Sequence, residues 1–177
     1  MLGSYNETVS TRSSKKIRND IMEAKGSLYK PVYSDVFPAI AIKRGDGAMN
    51  LWSLEGHNDN YLGTSPTGTA TGFGCRLMII DDIIKNAEEA YNEDIKEKHW
   101  DWFTNTMLSR LEEGGKIILI MTRWASDDLA GKALNYFPAE QTVHINLKAV
   151  QDDGSMLCSE VLSAESCAEK KRLMGLD

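Results

Sequence analysis

Two uninterrupted apolar runs, Leu77–Ile80 (LMII) and Ile117–Met121 (IILIM), restrict this chain more than any other feature. A strand with one wet face alternates polar and apolar residues; a run without alternation needs cover on both faces, as in a parallel sheet. Between the runs, a helical pattern covers about Ala87 to Leu111, with Tyr91, Ile95, Trp102, Phe103, Met107 and Leu111 on an apolar stripe, and Glu113-Gly114-Gly115 as its stop. Parallel neighbours need such a crossover, and it is nearly always right-handed.

The flanking segments extend the same theme. Glu7 to about Ala24 reads as a helix with Val9, Ile17, Ile21 and Met22 on one side, ended by Gly26. Three strand-like stretches follow, Ala39–Lys43, Met49–Leu54 and Asn60–Thr64, the last two joined as a hairpin. Pro66 to Gly74 (PTGTATGFG) is a glycine-rich loop leading into CRLMIIDD. Beyond the second apolar run, Ser126 is expected to cap a helix over Asp127 to Tyr136. Thr142–Leu147 alternates as a strand, and the C-terminal segment reads as one more capped helix. The order strand, helix, strand, helix, strand predicts an α/β fold with helices packed on a parallel sheet.

Composition narrows the classes. The 177 residues are 42% apolar and 26% charged, ordinary for a globular chain, and no apolar run approaches the roughly 20 residues of a membrane span. Three cysteines without paired spacing argue against a disulfide framework or a zinc site, and no leader pattern opens the chain, so a cytoplasmic protein is expected. The net charge of −6 works against a broad nucleic-acid-binding face; the local cation cluster Thr11–Arg18 (TRSSKKIR) reads as a solvated helix side.

Parallel strands bring their carboxyl ends to one edge, where open α/β sheets place ligand chemistry. Asp81, Asp82, Thr122 and Arg123 are expected to converge there. Two adjacent carboxylates after a buried strand repel each other and suffer desolvation unless a cation or solvent compensates. A magnesium ion carrying a nucleotide fits. Asp81 would hold Mg²⁺ directly or through a water, and Asp82 would polarise the water that attacks a γ-phosphate. Thr122 would orient that water or sense the γ-phosphate. The competing reading is that Asp81-Asp82 only caps the following turn. No GxxxxGK[ST] phosphate loop occurs: Gly115-Lys116 and Gly131-Lys132 lack both the hydroxyl residue and the earlier glycine.

In this arrangement the residues resemble the ATPase domain of the large terminase subunit, the DNA-packaging motor of tailed bacteriophages. GSYNETVSTRSSKKIR resembles the strand and helix after that family's P-loop helix. TGTATGFGCRLMIIDDIIKNAEEA resembles its glycine-rich segment and Walker B strand, IILIMTRWASDDLAGKAL its coupling-motif strand and following helix, and LCSEVLSAESCAEKKRLMG the connection toward its nuclease domain. The resemblance implies a three-layer α/β sandwich with a mostly parallel sheet of the P-loop NTPase (ASCE) type, incomplete at its N-terminal side. It implies a partial ATPase domain over residues 1–150 and a connection to an absent nuclease domain over 151–177. It implies Mg²⁺ and ATP as cofactors of the full-length motor, Asp81 in the metal-associated role, Asp82 as catalytic carboxylate, and Thr122 and Arg123 in the coupling segment. Double-stranded DNA, a portal protein and a small terminase subunit are the implied partners, with possible homo-oligomerisation and no membrane. Phe73 stands where many relatives carry an arginine, so no arginine finger is assigned to that loop; Arg76 and Arg123 are the remaining candidates. The alternatives are a non-catalytic assembly or remnant module of a prophage terminase and a helicase half, which would require signature motifs after TVHINL that the sequence does not show.

Overall fold

A strand that residue alternation does not mark, Leu2–Ser4 (β1), lies in the middle of the sheet. The computed structural model describes residues 1–175 and divides into two compact units, residues 1–136 and 137–177. Among the described residues six strands form one sheet in the order β2-β3-β4-β1-β5-β6. They are β2 (Ile42–Gly47), β3 (Leu51–Leu54), β4 (Tyr61–Thr64), β5 (Cys75–Asp81) and β6 (Leu111–Ile120), with β1 between β4 and β5. β1 pairs in parallel with β4 and β5, and β5 with β6, whereas β2-β3 and β3-β4 are antiparallel. The architecture is therefore α/β with a mixed, mostly parallel sheet. The hairpin expected over Met49–Thr64 is present, with Trp52 opposite Tyr61 and their rings stacked at 4.8 Å.

Helices lie on both faces of the sheet. Helix α1 (Glu7–Met22) starts at Asn6, whose side chain accepts the Val9 amide at 2.9 Å. Its buried positions are Ser10 and Ser14, not the apolar stripe read from the sequence: Ile17 is 41% and Met22 61% exposed. Small residues win because this helix approaches β4 closely. A Cβ added at Gly63 would lie 3.1 Å from the Ser10 carbonyl oxygen. The buried Ser14 hydroxyl also accepts the Trp52 indole N–H at 2.9 Å, which an apolar residue could not do. The cations Arg12, Lys15 and Lys16 face solvent, and Arg18 donates to the Gly47 carbonyl.

The opposite face carries the crossover. It is not the single helix expected over Ala87–Leu111. A short α3 (Ala87–Ala90) ends at Tyr91, and Asn92 caps a restart as α4 (Glu93–Asp101). The chain then widens to a π-helical stretch, Trp102–Met107, tightens to one 3₁₀ turn, and enters β6 at Leu111, six residues before the apolar run that begins at Ile117. Trp102, Phe103 and Met107 are buried as the stripe anticipates, whereas Tyr91 is 67% exposed because it occupies the break. Gly3 answers Trp102: a Cβ there would meet the indole at 2.7 Å. Glu113-Gly114-Gly115 does not stop a helix but forms an irregularity in β6, with Gly114 at φ 73°.

Helix α5 (Leu129–Tyr136) follows β6. In the second unit, Thr142–Leu147 is not a strand. Val143, Ile145 and Leu147 are 86%, 73% and 72% exposed and pair with no strand among the described residues, so alternation alone does not order them. The final helix α6 (Ala164–Met174) is present, capped by Ser163 and closed by Gly175 in the left-handed region; residues 176 and 177 of that segment lie outside the described residues.

Candidate functional site

Three consecutive parallel pairings, β4-β1-β5-β6, bring the ends Thr64, Ser4, Asp81 and Ile120 to one carboxyl edge. Ser4 is the register partner of Asp81, and Asp81 that of Ile120. The Asp82 amide donates to the Ile120 carbonyl at 2.9 Å, so the ladder continues one residue past β5. Thr122 follows two residues later and is exposed. The structure thus brings Asp81, Asp82 and Thr122 to the same edge.

Asp82 sits at φ 46°, one of two non-glycine residues with positive φ among the described residues. Asp tolerates this region better than most side chains, and such outliers mark turns or functional positions. Here the chain swings from the strand into Ile83 and Ile84, both buried. Asp82 is itself exposed to solvent; partial desolvation of its carboxyl, and then the charge of Asp81, push it above the ordinary carboxylate range. Among the described residues, neither Asp81 nor Asp82 takes an ion pair or accepts a hydrogen bond through its carboxylate. The turn-capping alternative therefore lacks its bond: Asn86 caps α3 by accepting the Glu89 amide at 3.0 Å.

The loop after β4 closes the other side of the edge. Thr64 and Ser65 are buried; the Thr64 hydroxyl donates to the Thr69 carbonyl at 3.4 Å, and the Ser65 and Thr67 hydroxyls lie 3.2 Å apart. Gly68 packs where a Cβ would be 2.5 Å from Glu7 Oε1 and 2.9 Å from Thr64 Oγ1. That close approach is what the glycine-rich segment supplies.

Arg123 is directed elsewhere. Its Nε donates to Asp128 at 2.9–3.0 Å, and its Nη2 to the carbonyls of Ala125 and Ser126. Asp128 is fully buried and also accepts the amides of Trp124, Ala125 and Gly131. The cap of α5 is thus Asp128 and not Ser126. A Cβ on Gly131 would collide with the Ser126 carbonyl oxygen at 1.9 Å. Arg123, Asp128 and Gly131 of TRWASDDLAG form one clamp, which fixes how the chain leaves Thr122. The terminase resemblance matches Asp128 and Leu129 to the start of this helix, but the capping role is expected of Ser126; the signal for Asp128 is the Asp–x–x–Gly spacing, in which a carboxylate meets the amide three residues on. Lys96, 5% exposed, pairs with Glu93 and Asp127 and ties α4 to the same loop.

Among the described residues, no helix is long and apolar enough to cross a membrane. The chain matches no known family model and no curated protein.

Proposed function

We propose that this chain is the Walker B and coupling part of an ATP-hydrolysing motor of the P-loop (ASCE) type, of the kind that packages DNA in tailed bacteriophages. The observation that carries the reading is the in-register β5-β6 pair, which ends in two adjacent carboxylates, neither paired with a cationic side chain among the described residues, at the same edge as Thr122. The donor set fits a hard divalent cation, since carboxylate and hydroxyl oxygens suit Mg²⁺, which takes its other ligands from water and phosphate. Bound there, Mg²⁺ would neutralise developing charge on phosphate oxygens. Asp81 would hold the cation, Asp82 would accept a hydrogen bond from the attacking water, and Thr122 would orient that water. Arg123 serves by fixing the backbone beyond Thr122. Double-stranded DNA, a portal protein and a small terminase subunit remain the proposed partners, and homo-oligomerisation the proposed assembly.

The 177 residues contain no phosphate-cradling GxxxxGK[ST] segment, so they are expected to turn over little or no ATP by themselves. Mn²⁺-ATP, replacing Mg²⁺-ATP, tests the site by paramagnetic broadening of backbone resonances. Broadening centred on Asp81, Asp82 and Thr122, and lost in Asp81→Asn, is expected. Broadening centred elsewhere, or none at millimolar nucleotide, overturns the reading. A non-catalytic assembly module is the second reading, favoured by the exposure of Leu77, Ile118 and Ile120 on one sheet face.

A further inference from the structure

Among the described residues Lys96 is the only buried lysine. Its side chain is 5% exposed, whereas its two partners, Glu93 at 2.8 Å and Asp127, keep 81% and 47% of theirs. Covering an ammonium is unfavourable, and bonds to acids do little more than offset it. The acids need no such partner, since both reach water. A methionine of similar length would fill the same space with little loss of stability. The charge at position 96 therefore adds direction more than stability.

Its place in the fold shows what is directed. The chain leaves β5 at Asp81 and comes back as α3 and α4; it leaves β6 at Ile120 and comes back as α5. Lys96 lies near the start of α4, and Asp127 in the segment before α5, so their bond crosses between the two exits of the carboxyl edge. Farther along, α4 and α5 touch in the same order. Glu97 pairs with Lys132 at 2.7 Å, and the Trp100 ring stands edge-on to Tyr136 with centroids 5.3 Å apart. Of these three links only the one to Asp127 lies before α5, on the Thr122 side. From there the clamp carries the constraint back. Asp128 holds Arg123 and the amides of Trp124 and Ala125, and Gly131 leaves the turn no room to open. A displacement of Asp127 relative to α4 is thus a displacement of Thr122 relative to the exit that carries Asp82.

We infer that Lys96 is a positioning residue: by anchoring Asp127 to α4, it sets the place of Thr122 relative to Asp81 and Asp82. Losing the ammonium leaves the sheet intact and frees the turn. That Thr122 acts on a nucleotide rests on the reading above; its placement by Lys96 does not.

NMR on the full 177-residue chain without nucleotide tests the placement. Lys96→Met removes the ammonium and Asp127→Ala its acceptor, and Lys132→Met breaks the neighbouring bridge as a control. In the first two, the Trp124 and Ala125 amides should exchange about 10-fold faster, and the residual dipolar couplings of residues 122–126 should change. The β5 and β6 amides should keep their protection. Combining the two substitutions should add nothing, because they remove one bond. Lys132→Met should leave residues 122–126 as in the parent. Should Lys96→Met not fold, Asp127→Ala, at a half-exposed position, decides. Unaltered couplings in both single variants overturn the inference. So does an equal change in Lys132→Met, which would assign the effect to general packing of α4 on α5. Equal loss of protection in the turn and in β5-β6 also overturns it, since Lys96 would then be a stabilising residue only. The same spectra with Mn²⁺-ATP separate the two readings. In Lys96→Met, broadening at Asp81 and Asp82 should persist while that at Thr122 falls several-fold, and undiminished broadening at Thr122 counts against the inference. No broadening in the parent overturns the nucleotide reading and leaves the couplings to decide the placement.

Discussion

Arg123 and Asp128 form an ion pair across the turn that follows β6, with Nε 2.9 Å from a carboxylate that has no exposed surface. Three backbone amides converge on the same carboxylate. Removing the acid orphans all of these donors at once, whereas removing the arginine leaves the carboxylate its amides. Asp128→Ala is therefore expected to cost about 3–5 kcal/mol and Arg123→Ala distinctly less. Urea unfolding of both variants measures this; equal losses would show that the ion pair, not the amide cluster, dominates.

Gly131→Ala tests the same clamp from the steric side. The new methyl would need the space of the Ser126 carbonyl, 1.9 Å from its ideal position, so the turn must open. A loss of more than about 2 kcal/mol is expected, beyond the small gain that Gly→Ala ordinarily brings to a helix. A thermal melt no lower than that of the parent chain would refute this.

Asp82 gives a pH dependence. Partial desolvation and Asp81 raise its carboxyl pKa in the folded chain above the ordinary value, so the folded state holds this proton at pH values where the unfolded chain has released it. Ionised Asp82 consequently destabilises the fold; the effect is complete above the raised pKa and absent below the ordinary one. Asp82→Asn, which tolerates φ 46° equally well, should be more stable than the parent at pH 7 and lose that advantage as the pH falls through the raised pKa toward about 4. Denaturant midpoints at several pH values measure the difference, and a pH-independent gap would count against the account.

Ser14→Ala leaves the buried Trp52 indole N–H without an acceptor. The expected cost is about 1–3 kcal/mol, large for the loss of one oxygen atom, because desolvation of the orphaned donor is no longer offset. Differential scanning calorimetry of Ser14→Ala reads this directly; an unchanged midpoint would mean that water replaces the serine.

The proposed ATPase reading can be tested by turnover once a phosphate-loop segment is supplied in trans or by fusion. Asp82→Asn should then abolish ATP hydrolysis while nucleotide binding persists, and unchanged turnover would remove Asp82 from the chemistry.

The legible parts of this molecule share a physical cause. Runs such as LMII and IILIM, the turn before Tyr61 and the serine cap of α6 are local consequences of burial and backbone chemistry, and a linear chain displays them openly. The convergence of Asp81, Asp82 and Thr122 follows from two such runs lying parallel. Other features depend on what a segment meets. Thr142–Leu147 alternates like a strand yet has no partner, the crossover helix breaks at Tyr91 and widens at Trp102, and α1 buries serines because β4 comes too close for larger residues.

By itself, then, the sequence determined the α/β class, the β5-β6 pair and the acidic end of β5, because periodicity and strand direction suffice for these. Only the tertiary structure decided that β1 is central, that Arg123 is taken up by Asp128, and that one face of β5-β6 lies open. Each of these turns on contacts between residues distant in the chain or on a partner that no local pattern specifies.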